Sequence, residues 1–292
     1  MTIPDCLKPI YPFTPKAFTT PLGARMSYVD EGAGDEAVLM LHGNPTWSFY
    51  YRDLIQAGAP GMRCVVPDHI GMGLSEKPAA YPYTLATRID DIAALVGTLG
   101  LRKVHLVVHD WGGAIGFGFA ARHPELIGRL VILNTGAFPS KRIPARIALC
   151  KLRGLGTALV RGLNGFAWPA TWMSMARRRL SPLEQRGFLL PYRSWSDRVA
   201  VDAFVKDIPM SDAHPTWPVL GATAAGLAHF TRNPALIVWG GQDFCFNDAF
   251  YDEWRRRLPQ AQTLYLKDAG HYVLNDADAE VVPVIVEFLK DK

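Results

Sequence analysis

The sequence predicts an α/β protein: a doubly wound, mostly parallel sheet with an all-helical insertion. Three observations predict it. Short β-branched runs alternate with helical periodicity through residues 24–134. Between Pro139 and Phe230 only helical stretches occur, punctuated by Pro and Gly. The alternation then resumes at Ala235 and runs to the end of the chain. With 292 residues, 49% hydrophobic and 20% charged, the chain suits one large globular unit with an insertion. The boundaries this predicts are a core domain of residues 1–139 and 231–292 and a helical cap of residues 140–230, inserted after the sixth strand.

The elements follow in order. Residues 24–32, ARMSYVDEG, predict an edge strand that ends in a turn. Residues 37–41 predict a buried strand that stops abruptly at His42-Gly43-Asn44-Pro45. A loop leaving a parallel strand at its carboxyl end is where open α/β sheets place ligands. A helix over 47–57 and a strand over 63–68 come next, then the glycine-bearing loop HIGMGLSEKP. Thr84 caps an amphipathic helix whose buried face is Leu85, Ile89, Ile92, Leu95, Val96 and Leu99, and Gly100 stops it.

The stretch KVHLVVHDWGGAIGFGFA, residues 103–120, organises the rest. A β-branched run breaks at His109-Asp110-Trp111-Gly112-Gly113, and small apolar residues then recur at helical spacing. Strand, tight turn and helix in so few residues is the nucleophile-elbow layout. Gly112 and Gly113 let the helix approach neighbouring strands. The usual elbow has glycine two residues before the nucleophile, whereas this chain has Val108. An Asp capping the helix is the plainer reading of Asp110 taken alone. A further strand ends near Asn134. The insertion holds helical candidates at 145–163, 171–179, 181–190, 196–208 and 217–230. After it come a strand at 235–239, a helix at 251–258, a strand in TLYLK, the loop carrying His271, and a closing helix at 280–289.

Composition excludes several function classes. A net charge of +4 is too mild to imply nucleic acid, and no nucleic-acid-binding motif is present. The start, MTIPDCLKPIYPF, has no basic segment followed by an apolar core, and no apolar run reaches transmembrane length. Cys6, Cys64, Cys150 and Cys245 are scattered, with no metal-ligand spacing. Reduced thiols in a cytoplasmic protein are expected, with no metal and no organic cofactor. The insertion is lopsided: residues 141–198 hold 12 Lys/Arg against only Glu184 and Asp197. A solvated basic face is the default explanation. An anionic substrate, an acidic partner protein or a membrane surface are the sharper ones.

Three titratable residues fall just past the ends of three strands: Asp110, Asp243 and His271. Nucleophile, acid, histidine is the chain order expected on such a sheet. Taken singly, Asp243 could close a turn and His271 could be a satisfied surface residue; together, chance explains them poorly. A carboxylate is ionised at neutral pH and needs no base to activate it. Attack at an sp3 carbon bearing a leaving group gives an alkyl ester of Asp110. His271 could then deprotonate a water that attacks the ester carbonyl, with Asp243 orienting the imidazole. Backbone N–H groups of Trp111 and Asn44 suit an oxyanion hole. Their side chains offer an indole and an amide donor for a departing halide or carboxylate.

HGNPTWSF, VPDHIGMGLSEKP, VHDWGG and GHYVLND resemble the haloalkane dehalogenase family of α/β-hydrolases over essentially the whole chain. The resemblance implies the α/β-hydrolase fold, with Asp110 as nucleophile, His271 as base, Asp243 as acid, and Asn44 with Trp111 receiving the leaving group. One branch of the family carries its acid after the preceding strand; the matching position here is near Asn134, which is not acidic. PDHIGMGLSEKP, LNTGAFP, PYRSWSDRVAVDAFVKDIP and GHYVLND look closest to the β-lactone decarboxylases of bacterial long-chain olefin synthesis. That likeness implies a cis-β-lactone with two alkyl chains giving a cis-olefin and CO2, and docking to other olefin-pathway enzymes.

Haloalkane hydrolysis is the alternative. Epoxide hydrolysis is disfavoured, because Tyr192 is the only cap tyrosine and Asn44 sits where epoxide hydrolases carry an aromatic residue. A Ser-type esterase is disfavoured by the elbow Asp, and a non-catalytic binding protein predicts a broken triad. The expected pocket lies between cap and sheet and takes a small apolar substrate. Trp168, Trp172, Met173 and Phe204 are candidate contributors to its wall, although packing within the cap is the plainer explanation of each.

Overall fold

The computed structural model describes residues 2–290. Eight strands form one sheet: β1 (Lys16–Thr19), β2 (Arg25–Glu31), β3 (Glu36–Leu41), β4 (Arg63–Pro67), β5 (Lys103–Asp110), β6 (Ile127–Thr135), β7 (Ala235–Gly240) and β8 (Gln262–Leu266). Their spatial order is β1-β2-β4-β3-β5-β6-β7-β8. β2 runs antiparallel to both β1 and β4, and every pair from β4 to β8 is parallel.

The sheet is apolar on both faces because both are covered, as parallel sheets require. Side chains alternate between two cores with the strand period. Leu39, Leu41, Leu106, Val108, Ile132 and Ile237 enter one core; Val38, Met40, Val107, Val131 and Val238 enter the other. Helices α1 (Arg52–Gly58), α2 (Leu85–Thr98) and α3 (Trp111–Arg122) connect the early strands. α2 and α3 pack into the first core and α1 into the second. Thr84 caps α2 by accepting the Thr87 N–H at 3.3 Å, and Gly100 ends it at φ +61°.

Between β6 and β7 the described residues contain no strand. They fold into α4 (Ala145–Lys151), α5 (Leu155–Thr157), α6 (Ala167–Met173), α7 (Pro182–Leu189), α8 (Val199–Asp207) and α9 (Thr216–Gly226). Helices α10 (Asp248–Arg257), α11 (Val273–Asp276) and α12 (Asp278–Lys290) complete the core, α10 on the first face and α12 on the second. Among the described residues no helix is long and apolar enough to cross a membrane.

Three local expectations need correction. The strand expected at the sheet edge, β2, is interior; the short, largely exposed β1 pairs outside it. The helix expected over 145–163 is broken, because Gly154 adopts φ +73° and a π turn spans Ala158–Gly162. The helix expected over 171–179 lies earlier, at α6. The backbone N–H groups of Ala176, Arg177 and Arg178 are taken by the Asp276 carboxylate at 2.9–3.1 Å, so they cannot continue a helix.

Candidate active site

β5 delivers Asp110 to the top of the sheet and α3 begins at the next residue. Asp110 has φ 52° and ψ −125°, a region that non-glycine residues rarely occupy and that costs of order 1–3 kcal/mol. The surroundings hold it there. The Asp110 carbonyl accepts the Thr135 hydroxyl, and the β5–β6 register shifts between His109 and Asp110. A Cβ at Gly43 would overlap the Asp110 carboxylate, one at Gly112 the Leu41 carbonyl, and one at Gly113 the Thr135 hydroxyl. Those three glycines let two loops and a helix close on one carboxylate.

Asp110 Oδ1 accepts the Asn44 N–H at 2.7 Å, and the Trp111 N–H also bears on the carboxylate. Burial raises its pKa above the ordinary carboxylate value; His271 and these two N–H groups oppose the rise without cancelling it. His271 Nε2 lies 3.7 Å from Asp110 Oδ2, and its Nδ1 lies 2.7 Å from Asp243 Oδ2. Burial disfavours the imidazolium, but the Asp243 charge and hydrogen bond, joined by Asp110, outweigh it and raise the His271 pKa. Asp243 is fixed in turn: its Oδ1 accepts the Cys245 N–H at 2.6 Å. The structure thus brings Asp110, His271 and Asp243 together from three strand ends. Asn134 plays another part there. Its side chain pairs with Gly240, donating to the carbonyl at 3.0 Å and accepting the N–H at 2.8 Å, which extends the β6–β7 ladder.

Residues that sequence reasoning missed support this arrangement. His109, one position before Asp110, is fully buried and stacks on Tyr50 with ring centroids 4.3 Å apart. Burial pushes its pKa well down, so it is neutral, and its Nε2–H donates to the His271 carbonyl at 2.9 Å. Asp276 accepts the Gly270 N–H at 2.7 Å as well as the three cap N–H groups, tying the His271 loop to the cap. Period-2 alternation within β5 could have flagged His109 as a buried polar residue; nothing local marks Asp276.

Two cavities meet at Asp110. Both are walled by Asn44, Asp110, Ile147, Phe166 and Cys245. One, of about 110 Å³, continues past Trp111, Phe138, Val205 and Leu220. The other, of about 270 Å³, passes His271 and Phe244 towards Leu159, Pro169 and Met173. Their linings are mainly apolar, as a site for an apolar ligand requires.

Of the expected wall residues, Met173 lines the larger arm. Phe204 does not reach either cavity; it is fully buried behind Trp111, with centroids 5.4 Å apart, under the Arg88 guanidinium. Trp168 and Trp172 are corrected outright: they are 56% and 52% exposed and face away from the cavities. Helical spacing explains it, since Pro169, Ala170 and Met173 of α6 take the inward side and positions 168 and 172 the outward one. The Asn44 amide is partly committed, donating to the Val201 carbonyl at 3.1 Å. The Trp111 indole N–H has no hydrogen-bond partner among the described residues. These residues also include no cluster of His, Cys, Asp and Glu able to hold a metal.

Comparison with known proteins agrees with this fold. A family profile described as alpha/beta hydrolase fold matches residues 36–278. A Shewanella oneidensis protein named cis-3-alkyl-4-alkyloxetan-2-one decarboxylase is 44% identical over 291 residues, spanning 98% of this chain and 91% of its own. A Xanthomonas campestris protein of the same name is 43% identical, over 97% of this chain and 98% of its own. Among solved structures, a haloalkane dehalogenase from Bradyrhizobium elkani superposes with a TM-score of 0.84 at 28% identity, covering 94% of this chain and 96% of that one. With the profile spanning both sides of the insertion and these relatives matching nearly the whole length, the chain is an enzyme belonging to the alpha/beta hydrolase fold family.

Proposed function

We propose that this enzyme is a β-lactone decarboxylase, converting a cis-3-alkyl-4-alkyloxetan-2-one into a cis-olefin and CO2. The observation that carries the reading is the pair of apolar arms diverging from Asp110. A four-membered lactone with alkyl groups on adjacent carbons needs one reactive centre and two apolar exits. The names of the two decarboxylase relatives support it.

In this mechanism Asp110 attacks C4 of the lactone, an sp3 carbon, and the C4–O bond breaks with inversion. The ring oxygen becomes part of a free carboxylate, and C4 is esterified to Asp110. The C2–C3 bond then breaks: its electron pair forms the C3=C4 double bond, CO2 leaves, and the Asp110 carboxylate is expelled from C4. Inversion followed by anti elimination preserves the cis arrangement. No water is consumed and Asp110 is regenerated.

Preorganised charge carries the second step. His271, held against Asp243, places positive charge beside the carboxylate that is re-forming on Asp110. The Asn44 and Trp111 donors face the carboxylate released by ring opening. Residues 140–230 act as the cap that closes the apolar arms over the core. The same reading carries the expectation of a cytoplasmic enzyme working beside other olefin-pathway enzymes.

Isotope labelling tests it. The enzyme turns over a dialkyl β-lactone in H2(18)O, and the peptide containing Asp110 is weighed. The decarboxylative route yields olefin and leaves Asp110 unlabelled. Label in Asp110, with a hydroxy acid as product, would overturn it. A second reading, haloalkane hydrolysis, is favoured by the free Trp111 indole donor and by the dehalogenase neighbour. It requires bromide release from a bromoalkane and label in Asp110, because water there attacks the ester carbonyl.

A further inference from the structure

The cap carries an outer face that the chemistry above leaves unused. Of the nine large apolar side chains exposed among the described residues, seven lie between positions 149 and 195: Leu149, Leu152, Leu155, Leu163, Trp168, Trp172 and Trp195. Leu163 is 75% exposed, the highest of them. The segment is continuous in space. α4 leads through Gly154 into α5 and the π turn, which is hydrogen-bonded onward to Gly165, and Trp168 and Trp172 stand edge to face 6.3 Å apart. Trp195 joins them through the Arg161 guanidinium, 4.6 Å above its ring. Scattered surface leucines need no explanation, but a run of them with three tryptophans does.

Charge on the same segment has one sign. Residues 126–183 contain no Asp or Glu, while Lys141, Arg142, Arg146, Lys151, Arg153 and Arg161 fall within residues 141–161. Lys151 is used internally, donating to the carbonyls of Lys206 and Ile208 at the end of α8. No ion pair holds the other five among the described residues. Trp and Leu beside Arg153 and Arg161, with Asp197 near Trp195 the one acid close by, is a composition that seats in the headgroup layer of an anionic bilayer.

The larger arm of the cavity lies directly beneath this face. Leu149 both lines the arm and is 45% exposed, and α6 gives Met173 to the arm and Trp172 to solvent. We propose that this face of the cap docks on an anionic phospholipid surface, with the larger arm opening towards the bilayer. Docking there lets an apolar ligand pass between the acyl layer and Asp110 without crossing water. A protein partner would also accept tryptophan and arginine. It is the excess of positive charge and the apolar arm behind it that favour lipid.

Vesicle co-sedimentation without substrate tests the proposal, so its outcome is independent of which reaction Asp110 performs. The full-length enzyme should pellet with vesicles of phosphatidylglycerol and phosphatidylcholine, and much less with phosphatidylcholine alone. Raising the salt should release it. The double variant Leu163→Ser with Trp168→Ser, and separately Arg153→Gln, should each weaken binding, the double by about tenfold. Both should keep the wild-type Tm and turnover of a short-chain, water-soluble substrate. Brominated lipids should quench wild-type tryptophan fluorescence, and less so in Trp168→Ser. Absence of vesicle binding at low salt would overturn the proposal. So would binding that ignores these substitutions, or equal binding to neutral vesicles.

Discussion

The sheet and the cap of this enzyme are built on different rules. The inner parallel strands β3 to β7 are buried on both faces, and their side chains alternate between two cores. Little can change there without breaking the register that places Asp110, Asp243 and His271. The cap has few such constraints. Its helices are short, one of them is broken at Gly154, and its outer face exposes leucine and tryptophan. In the proposed reaction the core would supply the reacting carboxylate, while residues of both regions, Phe138 and Phe244 from the core and Met173 and Leu220 from the insertion, wall the arms.

The largest expected effect tests the core. Asp110→Ala should abolish turnover, a fall on the order of 10⁴-fold or more, with the protein still folded by circular dichroism. Appreciable residual activity in steady-state assays would place the nucleophile elsewhere. Next, Gly112→Ala should lower Tm sharply and reduce soluble yield, because its Cβ would overlap the Leu41 carbonyl. Gly221→Ala in the cap meets nothing within 4 Å, and should leave Tm unchanged or slightly raised. Equal effects in the two would erase the distinction between the regions.

Cap substitutions should divide selectivity between the arms. Met173→Trp should shorten the chain accepted in the larger arm, and Leu220→Phe the chain in the smaller. Each should lower kcat/KM about 10–100-fold for long chains on one side of the ring only. Competition between lactones with chains of unequal length measures it; loss on both sides would mean that the arms are not separate.

A smaller effect concerns stability. Burial raises the Asp110 pKa, so its ionised form costs folding free energy at neutral pH. A raised carboxylate pKa stabilises the fold relatively below the unfolded value, and that advantage is lost as pH rises through the folded value. Asp110→Asn should thus raise Tm at pH 7, and the gain should vanish in acid, where the wild type is also protonated. Thermal scans at several pH values check this; an Asn variant less stable at pH 7 would contradict it.

Legibility followed the same division. Strand positions, the elbow and the meeting of Asp110, Asp243 and His271 at the strand ends could be read from sequence because short buried β runs end in unmistakable loops. The parallel core leaves those loops at one end of the sheet. β2 reads as an edge because β1 spans only four residues and is largely exposed. In the cap, helical periodicity was visible but orientation was not. Trp168 and Trp172 are apolar enough to suggest a pocket wall, yet the turn of α6 gives that role to Pro169, Ala170 and Met173. His109 and Asp276 were illegible for a further reason. His109 bonds a carbonyl 162 residues away and Asp276 bonds N–H groups 98–100 residues away, and such contacts leave no spacing to recognise.

Asp276 has a mechanical consequence. One carboxylate grips the backbone at Gly270, beside His271, and at positions 176–178 of the helical insertion. Loss of that one carboxylate would therefore free the loop carrying His271 and the turn at positions 176–178 in a single stroke.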